Sequence, residues 1–374
     1  METVAFRPGL EGVVAAQTEI SEVDGKNGRL IYRGGHLINE IADRSFEAIA
    51  YLLWKGELPN REQEAELRAQ LARHRKLNEQ TLAALRGLRA EVDPMDALRT
   101  LLSAQTAAPG CPKPTLAEAI EITAVIPTAV AAFYRRVQDR EPVEPRGDLG
   151  HAANFIYMLE GEEPGPDEVR YLETYLVLLA DHGLNASTFA TRVTASTGSD
   201  LASAIVAGVA ALKGPAHGGA ATAAMVMLNK VGGPGNADAF VLDLMNTKGR
   251  LMGFGHRIYR TYDPRAKILK QLAERANPEF YAVASRVEEV ALRELLARHP
   301  ERPNATNVDY YSAGVLAAAG FPKEFFTSVF AASRVVGWTA HVLEYMGKDG
   351  RILRPASEWT GPDPATRNST GNHS

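Results

Sequence analysis

Cysteine is almost absent from this 374-residue chain, where Cys111 in the segment PGCPKP is the one residue of its type. A single cysteine cannot form a disulfide within the chain, so the fold does not depend on a disulfide framework. This cysteine usage suits a reducing compartment, and we predict a cytoplasmic location. Cys111 itself is interpreted as a loop thiol without a chemical role rather than as a nucleophile.

An excess of charge of one sign is also missing. The chain has 41 Lys and Arg against 45 Asp and Glu, a formal net charge of −4. No overall field attracts nucleic acid or an acidic membrane surface, so we expect neither partner. No segment approaches eighteen uninterrupted apolar residues, and the N-terminal segment METVAFRPGLEG lacks the pattern of an export signal. We therefore expect neither export nor a membrane span.

Several widespread site motifs are missing as well. The chain contains no G-x-x-x-x-G-K-[ST], H-E-x-x-H, C-x-x-C or G-x-S-x-G pattern, and its GFGH segment lacks the third glycine of a dinucleotide fingerprint. Phosphate-loop, zinc and serine-hydrolase interpretations therefore have no support.

The dominant pattern along the chain is helical. In residues 45–59 apolar side chains recur at helical spacing, Ser45 can cap the start, and Gly56 with Pro59 ends the segment. Similar periods, which together predict roughly ten helices, occur in residues 61–90, 95–105, 115–137, 167–180, 201–213, 265–274, 279–299 and 323–346. Strand signals are confined to the N-terminal segment, where Asp24-Gly25 and Asn27-Gly28 favour a hairpin turn. The predicted class is all-α with a small N-terminal β-hairpin, and the tail from about residue 361 is predicted to be disordered.

Three polar residues lie in unusual contexts, although each also has an ordinary structural explanation. His217 lies in GPAHGG between two apolar segments, where it could face a ligand or simply cap a helix–helix corner. His182 precedes Asn185 by three residues and could equally be a hydrogen-bonded core histidine. Asp309 in NVDYYS could be a reactive acid or a helix cap.

The segment GFGHRIYRTYDPRA (residues 253–266) is harder to explain as ordinary surface. Its glycines break a helix and Pro264 can open the next one, which leaves His256, Arg257, Arg260 and Arg265 around a helix N-terminus. Cations there oppose the helix dipole unless an anion lies among them. Arginine favours planar, bidentate recognition of carboxylates, so the segment is interpreted as a site for a small carboxylate or phosphate.

Nine segments together resemble the citrate synthase family over nearly the whole chain, in its shorter bacterial and archaeal form. They are ISEVDGKNGRLIYRGG, AYLLWKGELP, PMDALRT, NFIYML, DHGLNASTFATRV, ALKGPAHGGA, GFGHRIYRTYDPRA, NVDYYSAG and SRVVGWTAHVLE. The resemblance implies condensation of acetyl-CoA with oxaloacetate and hydrolysis of citryl-CoA to citrate, the first step of the tricarboxylic acid cycle. It also implies an all-α fold with a large domain (1–222 and 324–374) and a smaller one (223–323), and a reaction that needs no metal and no redox or other bound cofactor.

The resemblance also implies a role for each matching residue. The catalytic residues are expected to be Asp309 as the base, His217 as the donor to the thioester oxygen, and His256 as the group that polarises oxaloacetate. The expected oxaloacetate-binding residues are His182, Arg265, Arg334 and Arg354, and the expected CoA-binding residues are Lys213, Arg257 and Asn307. Family members are homodimers in which the arginine matching Arg354 reaches the partner's cleft, so shared active sites are expected here.

The chain departs from the family pattern near the acyl-CoA side. It has GGAATAA where many relatives have GGANE, YRGG in place of YRGY, and NVDYYSAG in place of NVDFYSG. None of these changes removes a residue with a predicted role. Two alternatives therefore stay open, a 2-methylcitrate synthase that uses propionyl-CoA and a non-catalytic paralogue that binds CoA or a dicarboxylate.

Overall fold

The computed structural model describes residues 6–105, 113–300, 305–348 and 350–361. These contain sixteen α-helices and three short β-strands. The strands are β1 Ser21–Asp24, β2 Arg29–Tyr32 and β3 His36–Leu37. The helices are α1 Ile38–Ile41, α2 Phe46–Lys55, α3 Arg61–Arg73, α4 Glu79–Gly87, α5 Pro94–Gln105, α6 Leu116–Val137, α7 His151–Glu160, α8 Pro166–Leu179, α9 Ala186–Ser196, α10 Leu201–Leu212, α11 Ala220–Asn229, α12 Ala237–Asn246, α13 Pro264–Ala276, α14 Pro278–Arg298, α15 Val308–Ala318 and α16 Phe326–Lys348.

The predicted class, all-α with an N-terminal hairpin, is confirmed. β1 and β2 pair antiparallel with Ser21 opposite Tyr32 and Asp24 opposite Arg29, and β3 adds a third short strand. Asp24 organises the turn, since its carboxylate accepts hydrogen bonds from Asn27 and Arg29. These bonds lower the pKa of Asp24 to about 2, with the Asn27 side chain as the largest cause.

The helix α2 begins and ends where its sequence predicts. Ser45 Oγ accepts from Ala48 N at 3.0 Å, and Gly56 ends the helix in the left-handed conformation with φ 93°. By contrast, the single period predicted over 61–90 is divided into α3 and α4, because Asn78 caps a new helix start through Thr81 N. With sixteen α-helices in the described residues, the prediction of roughly ten was too low.

The core is built around α16, which packs against α2, α6, α8, α9 and α10. Trp338, at the middle of α16, is fully buried. Its indole Nε1 donates to Ser187 Oγ at 3.1 Å, which joins the core helix to the first turn of α9. Since α9 follows His182 and α16 carries Arg334, the core packing fixes two of the predicted site residues relative to each other.

The helix α6 is the one helix of the described ranges that is long and apolar enough to span a membrane. It contains Pro127, and 78% of its most apolar window is buried inside the protein. It therefore belongs to the protein core. Cys111 and the tail beyond residue 361 lie outside the described residues.

Candidate active site

Six of the predicted site residues come from six different places in the fold. His182 follows α8, His217 lies between α10 and α11, His256 precedes α13, Arg265 is in the first turn of α13, Asp309 is in the first turn of α15, and Arg334 is on α16. Charges link them, because Arg334 lowers the pKa of His182 and His217, and Arg265 lowers the pKa of His182 and His256, in each case after burial. Arg265 and Arg334 also lower the pKa of Asp309 against the effect of its burial, so the six residues lie near one another.

The GPAHGG turn presents His217 because its backbone closes tightly. His217 N donates to Gly214 O at 2.8 Å, and Gly218 N donates to Leu212 O at 2.9 Å. A Cβ atom at Gly218 would lie 2.5 Å from that same Leu212 oxygen, so no larger residue fits there. This explains the glycine that follows the histidine.

The His217 ring is held by a chain of polar groups. Its Nε2 lies 2.8 Å from Ser187 Oγ, which also lies 2.8 Å from Asn185 Oδ1 and accepts from Trp338. Ser187 has one hydroxyl proton, so it can donate a hydrogen bond either to Asn185 Oδ1 or to His217 Nε2, but not to both. In the second arrangement, the proton of His217 is on Nδ1. Burial, followed by Arg334, lowers the pKa of His217 to about 4, so the ring is neutral at pH 7.

The protonation state of His256 follows from its contacts. Its Nδ1 accepts from the backbone N–H of Ile258 at 3.0 Å and of Tyr259 at 3.1 Å. Because both partners are donors, Nδ1 has no proton and the neutral ring is protonated at Nε2. Burial, helped by Arg265, lowers the pKa of His256 to about 4. His256 is therefore a neutral N–H donor at pH 7.

His182 and Tyr259 pack around His256. The ring centroids of His182 and His256 are 5.4 Å apart, and His182 Nε2 lies 3.2 Å from the Tyr259 hydroxyl. Burial is the main reason that the pKa of His182 falls well below its ordinary value. The neutral imidazole of His182 thus lies beside the neutral imidazole of His256.

Arg265 is buried and paired with Asp263. Its Nε and Nη2 donate to the two carboxylate oxygens at 3.1 and 2.9 Å. Although burial opposes it, Asp263 keeps the pKa of Arg265 raised. A guanidinium has five N–H donors, so the Nη1 and Nη2 edge can still bind a second carboxylate in the bidentate manner.

Arg334 is 1% exposed, yet no carboxylate of the described residues lies within ion-pair distance of it. Its Nε donates to Leu179 O at 2.7 Å, and its guanidinium lies 4.7 Å from the Phe330 ring centroid. Burial lowers the pKa of Arg334 to about 10, so it is still charged at pH 7. A buried cation without a carboxylate partner favours a bound anion.

Asp309 lies in the first turn of α15, where Asn307 Oδ1 accepts from its backbone N–H at 3.1 Å. Burial raises the pKa of its carboxyl group to about 6, and Arg265 and Arg334 offset part of that rise. The neighbouring turn is fixed as well. Gly253 has φ 83°, and a Cβ atom there would lie 2.7 Å from the Tyr310 ring. With a pKa of about 6, the Asp309 carboxyl group is mostly ionised at neutral pH and can act as a base.

The geometry places three neutral imidazoles, an acid with a raised pKa and two arginines with spare donors in one site. Comparison with known protein families shows to which of them the chain belongs. The model of the family "Citrate synthase, C-terminal domain" matches residues 9–356. The chain belongs to the citrate synthase family. This confirms the resemblance and the enzyme class predicted from the sequence, a transferase of the citrate synthase type.

Relatives of known name or structure cover almost the whole chain. "Citrate synthase 2" of Bacillus subtilis is 40% identical over 366 residues, covering 95% of this chain and 96% of that protein. A citrate synthase of Thermoplasma acidophilum, solved as a ternary complex with carboxymethyl coenzyme A and oxaloacetate, has a TM-score of 0.89 at 32% identity, covering 96% of this chain and 97% of that one. A 2-methylcitrate synthase of Mycobacterium tuberculosis is 37% identical over 371 residues, covering 96% and 92%.

Four further residues have predicted roles, and of these Asn307 contacts a site residue, through the backbone N–H of Asp309. Lys213 Nζ is paired with Asp96 at 2.5 Å, and Arg257 Nη2 donates to Gly9 O at 3.1 Å. The Asn307 amide caps α15 and donates to Gly255 O at 3.0 Å. Arg354 is exposed in the segment after α16. Their predicted roles stay predictions.

A basic cavity next to His256 was not predicted as a binding site. It has a volume of about 740 Å³, and its lining includes Lys248, Arg250, Arg260 and Arg298. Arg260 belongs to the GFGHRIYRTYDPRA segment, so its charge was visible in the sequence. The other three come from α14 and the loop after α12, and only the fold brings them together. Within the described part of the chain, no group of three or more His, Cys, Asp or Glu is arranged to hold a metal ion.

Proposed function

We propose that this chain condenses acetyl-CoA with oxaloacetate and hydrolyses the resulting citryl-CoA to citrate and CoA. The observation that carries the proposal is the combination of an acid whose pKa is about 6, Asp309, with a neutral imidazole N–H at His256. A base and a carbonyl-polarising donor are the two groups that carbon–carbon bond formation of this kind requires.

The first step is removal of a proton from the acetyl methyl group. Asp309 takes the proton, and the C–H electron pair moves to give an enol or enolate whose charge develops on the thioester oxygen. His217 donates a hydrogen bond to that oxygen. Since Ser187 occupies Nε2 of His217, the donor has to be Nδ1–H, which requires the Ser187 hydroxyl to donate its hydrogen bond to an unprotonated Nε2.

The second step joins the two substrates. His256 Nε2–H donates to the keto oxygen of oxaloacetate, which makes its carbon more electrophilic. The enol carbon attacks this carbon, the C=O electron pair moves to the keto oxygen, and that oxygen takes a proton through His256 to become the hydroxyl of citryl-CoA. This proton balances the one that Asp309 removed from the methyl group. Water then attacks the thioester, the C–S bond breaks, and citrate and CoA leave.

Three arginines and one histidine bind the two carboxylates of oxaloacetate. Arg265 offers its Nη1 and Nη2 edge, and Arg334 offers the terminal nitrogens that no described carboxylate occupies. His182 lies beside them next to His256. Arg354 supplies the third guanidinium, and it comes from the partner subunit.

The basic cavity beside His256 supports CoA binding. Its lysine and three arginines suit the phosphate groups of CoA, and its position next to His256 directs the thioester towards the acid–base residues. Lys213, Arg257 and Asn307 complete the proposed CoA contacts. CoA is a substrate in this scheme, and no metal or cofactor takes part.

The chain divides into a large domain (1–222 and 324–374) and a small domain (223–323) that close on the substrates. Thr222 Oγ1 donates to Lys323 O at 2.9 Å, so the chain leaves and re-enters the large domain at adjacent points. Asp309, His256 and Arg265 lie on one side of this boundary, and His182, His217 and Arg334 lie on the other. Closure therefore assembles the site and excludes water during condensation.

The active unit is a cytoplasmic homodimer with shared sites. Leu353 N donates to Ser196 Oγ, which places the segment before Arg354 at the last residue of α9. Ser187 is nine residues earlier, a distance of roughly 13 Å along a helix, so Arg354 lies away from its own His217. Phe6 is 74% exposed, Val14 87% and Ile352 63%, as suits extended segments that pack on a partner.

The reaction is tested by measuring thiol release with oxaloacetate and either acetyl-CoA or propionyl-CoA. We expect a higher kcat/KM with acetyl-CoA, together with some activity on propionyl-CoA, because one methylene in an apolar pocket is worth only about 1–3 kcal/mol. A clear preference for propionyl-CoA would instead identify a 2-methylcitrate synthase, which the similarity to the mycobacterial enzyme keeps open. Binding of both substrates without thiol release would identify a non-catalytic paralogue.

A further inference from the structure

Glu288 is a buried carboxylate in α14 for which the proposed reaction has no role. It is 3% exposed, and each of its oxygens accepts two hydrogen bonds. Oε1 accepts from Tyr262 at 3.1 Å and Thr306 at 2.6 Å, and Oε2 accepts from Tyr311 at 2.6 Å and Lys270 at 2.5 Å. All four lone-pair positions of the carboxylate are therefore used.

The four donors come from the two segments that carry the chemistry. Tyr262 directly precedes Asp263, the partner of Arg265, and Lys270 lies five residues beyond Arg265 in α13. Thr306 directly precedes Asn307, which caps α15, and Tyr311 is two residues beyond Asp309. Each oxygen of the Glu288 carboxylate thus accepts one hydrogen bond from residues 253–270, here called the oxaloacetate segment, and one from residues 305–311, the base segment.

The same two segments are also joined through their backbones. Gly255 N donates to Ala305 O at 2.8 Å, and Asn307 N donates to Gly253 O at 2.9 Å. Phe254 and Thr306 form an isolated antiparallel bridge. His256 lies two residues after Phe254 on one segment, and Asp309 lies three residues after Thr306 on the other.

We infer that Glu288 is a positioning residue that fixes Asp309 relative to His256 and Arg265. The inference rests on the function proposed above. A fully hydrogen-bonded buried carboxylate tolerates little displacement of its partners, since each shifted donor leaves an unpaired buried group. An error of about 1 Å in the placement of a reacting group can cost about 10²-fold in rate, so this rigidity bears directly on turnover.

The test begins with Glu288→Gln. An amide nitrogen in place of either oxygen would face two donors, and the Lys270 ammonium cannot become an acceptor. We expect kcat to fall by about 10- to 100-fold. The control is Glu289→Gln on the adjacent residue, whose side chain is 65% exposed and pairs with Arg286, and we expect its kcat to stay within twofold of wild type.

Two further variants separate positioning from a purely structural role, and they decide the matter if Glu288→Gln does not fold. Tyr311→Phe loosens the base segment, so kcat should fall with little change in the oxaloacetate KM. Tyr262→Phe loosens the oxaloacetate segment, so the oxaloacetate KM should rise more than kcat falls. A purely structural role would lower the melting temperature of both variants without this split.

The inference is overturned if Tyr311→Phe and Tyr262→Phe both keep kcat and the oxaloacetate KM within twofold of wild type, or if both change the two constants in the same way. Failure of the proposed function looks different. In that case the wild-type protein itself releases no thiol from acetyl-CoA and oxaloacetate.

Discussion

Asp309→Asn is expected to lower kcat by about 10²-fold or more while oxaloacetate affinity stays nearly unchanged. The amide keeps the shape of the side chain but cannot take the methyl proton, and the carboxyl group is not assigned to oxaloacetate binding. The measurement is kcat and KM from thiol release, with the oxaloacetate Kd from calorimetry. Turnover within tenfold of wild type would place the base at another residue.

The pH dependence of the wild-type enzyme supplies the matching signature. Because Asp309 must be ionised to act as a base and burial raises its pKa to about 6, kcat/KM should fall about tenfold per pH unit below that value and level off above it. Asp309→Asn should lose this acidic limb.

The melting temperature of Asp309→Asn shows whether the variant is still folded. A carboxyl group whose pKa is raised on folding destabilises the folded state above that pKa, and the cost disappears below the unfolded-state pKa of about 4. Asp309→Asn should therefore melt no lower than wild type at pH 8, which separates lost chemistry from lost structure.

Mixing Asp309→Ala with Arg354→Ala is expected to restore activity that neither variant has alone. In a mixed dimer with shared sites, both lesions fall in one site and the other site keeps a native Asp309 and a native Arg354. Random association makes about half of the dimers mixed, each with one intact site, so activity should return to about a quarter of wild type. The measurement is thiol release after the two variants are unfolded and refolded together.

A matched control uses two residues that the same subunit supplies to a given site. Asp309→Ala mixed with His217→Ala should stay inactive, because each site of a mixed dimer then contains one of the two lesions. If mixed dimers of Asp309→Ala and Arg354→Ala form and remain inactive, Arg354 acts within its own chain or not at all, and the shared-site assignment is wrong.

Elements with strong local signals were predictable from the sequence. The start and end of α2 follow from Ser45 and Gly56, and the β1–β2 turn follows from Asp24-Gly25 and Asn27-Gly28. The predicted helix at 279–299 agrees with α14 within one residue at each end. Here capping residues and apolar period point to the same boundaries.

Helices rich in small residues were not predicted. α9 reads ASTFATRVTAS and α15 reads VDYYSAGVLAA, and in both the buried residues include polar ones, such as Thr188 and Thr191 in α9 and Ser312 in α15. These helices form because they are packed on several sides, α9 against α10 and α16, and α15 against α11 and α13. Tertiary packing, which a single sequence does not display, decides such elements.

The same division holds within the site. His217, His256 and Asp309 were identified through their glycine-rich or capping contexts and the family resemblance. Their supporting partners were not, because Ser187 lies thirty residues from His217 and Glu288 lies about twenty from Thr306 and Tyr311. Contacts between residues so far apart in the chain follow from the fold rather than from spacing.

The central claim is that Asp309, His217 and His256 act on two substrates bound together. It is tested most directly by a crystal structure of the protein with oxaloacetate and an unreactive acetyl-CoA analogue. We predict His256 Nε2 within about 2.6–3.2 Å of the keto oxygen, the Asp309 carboxylate facing the acyl carbon, and His217 Nδ1 at the acyl oxygen. A complex in which Asp309 faces away from the acyl group, or oxaloacetate lies apart from His256 and Arg265, would contradict the account.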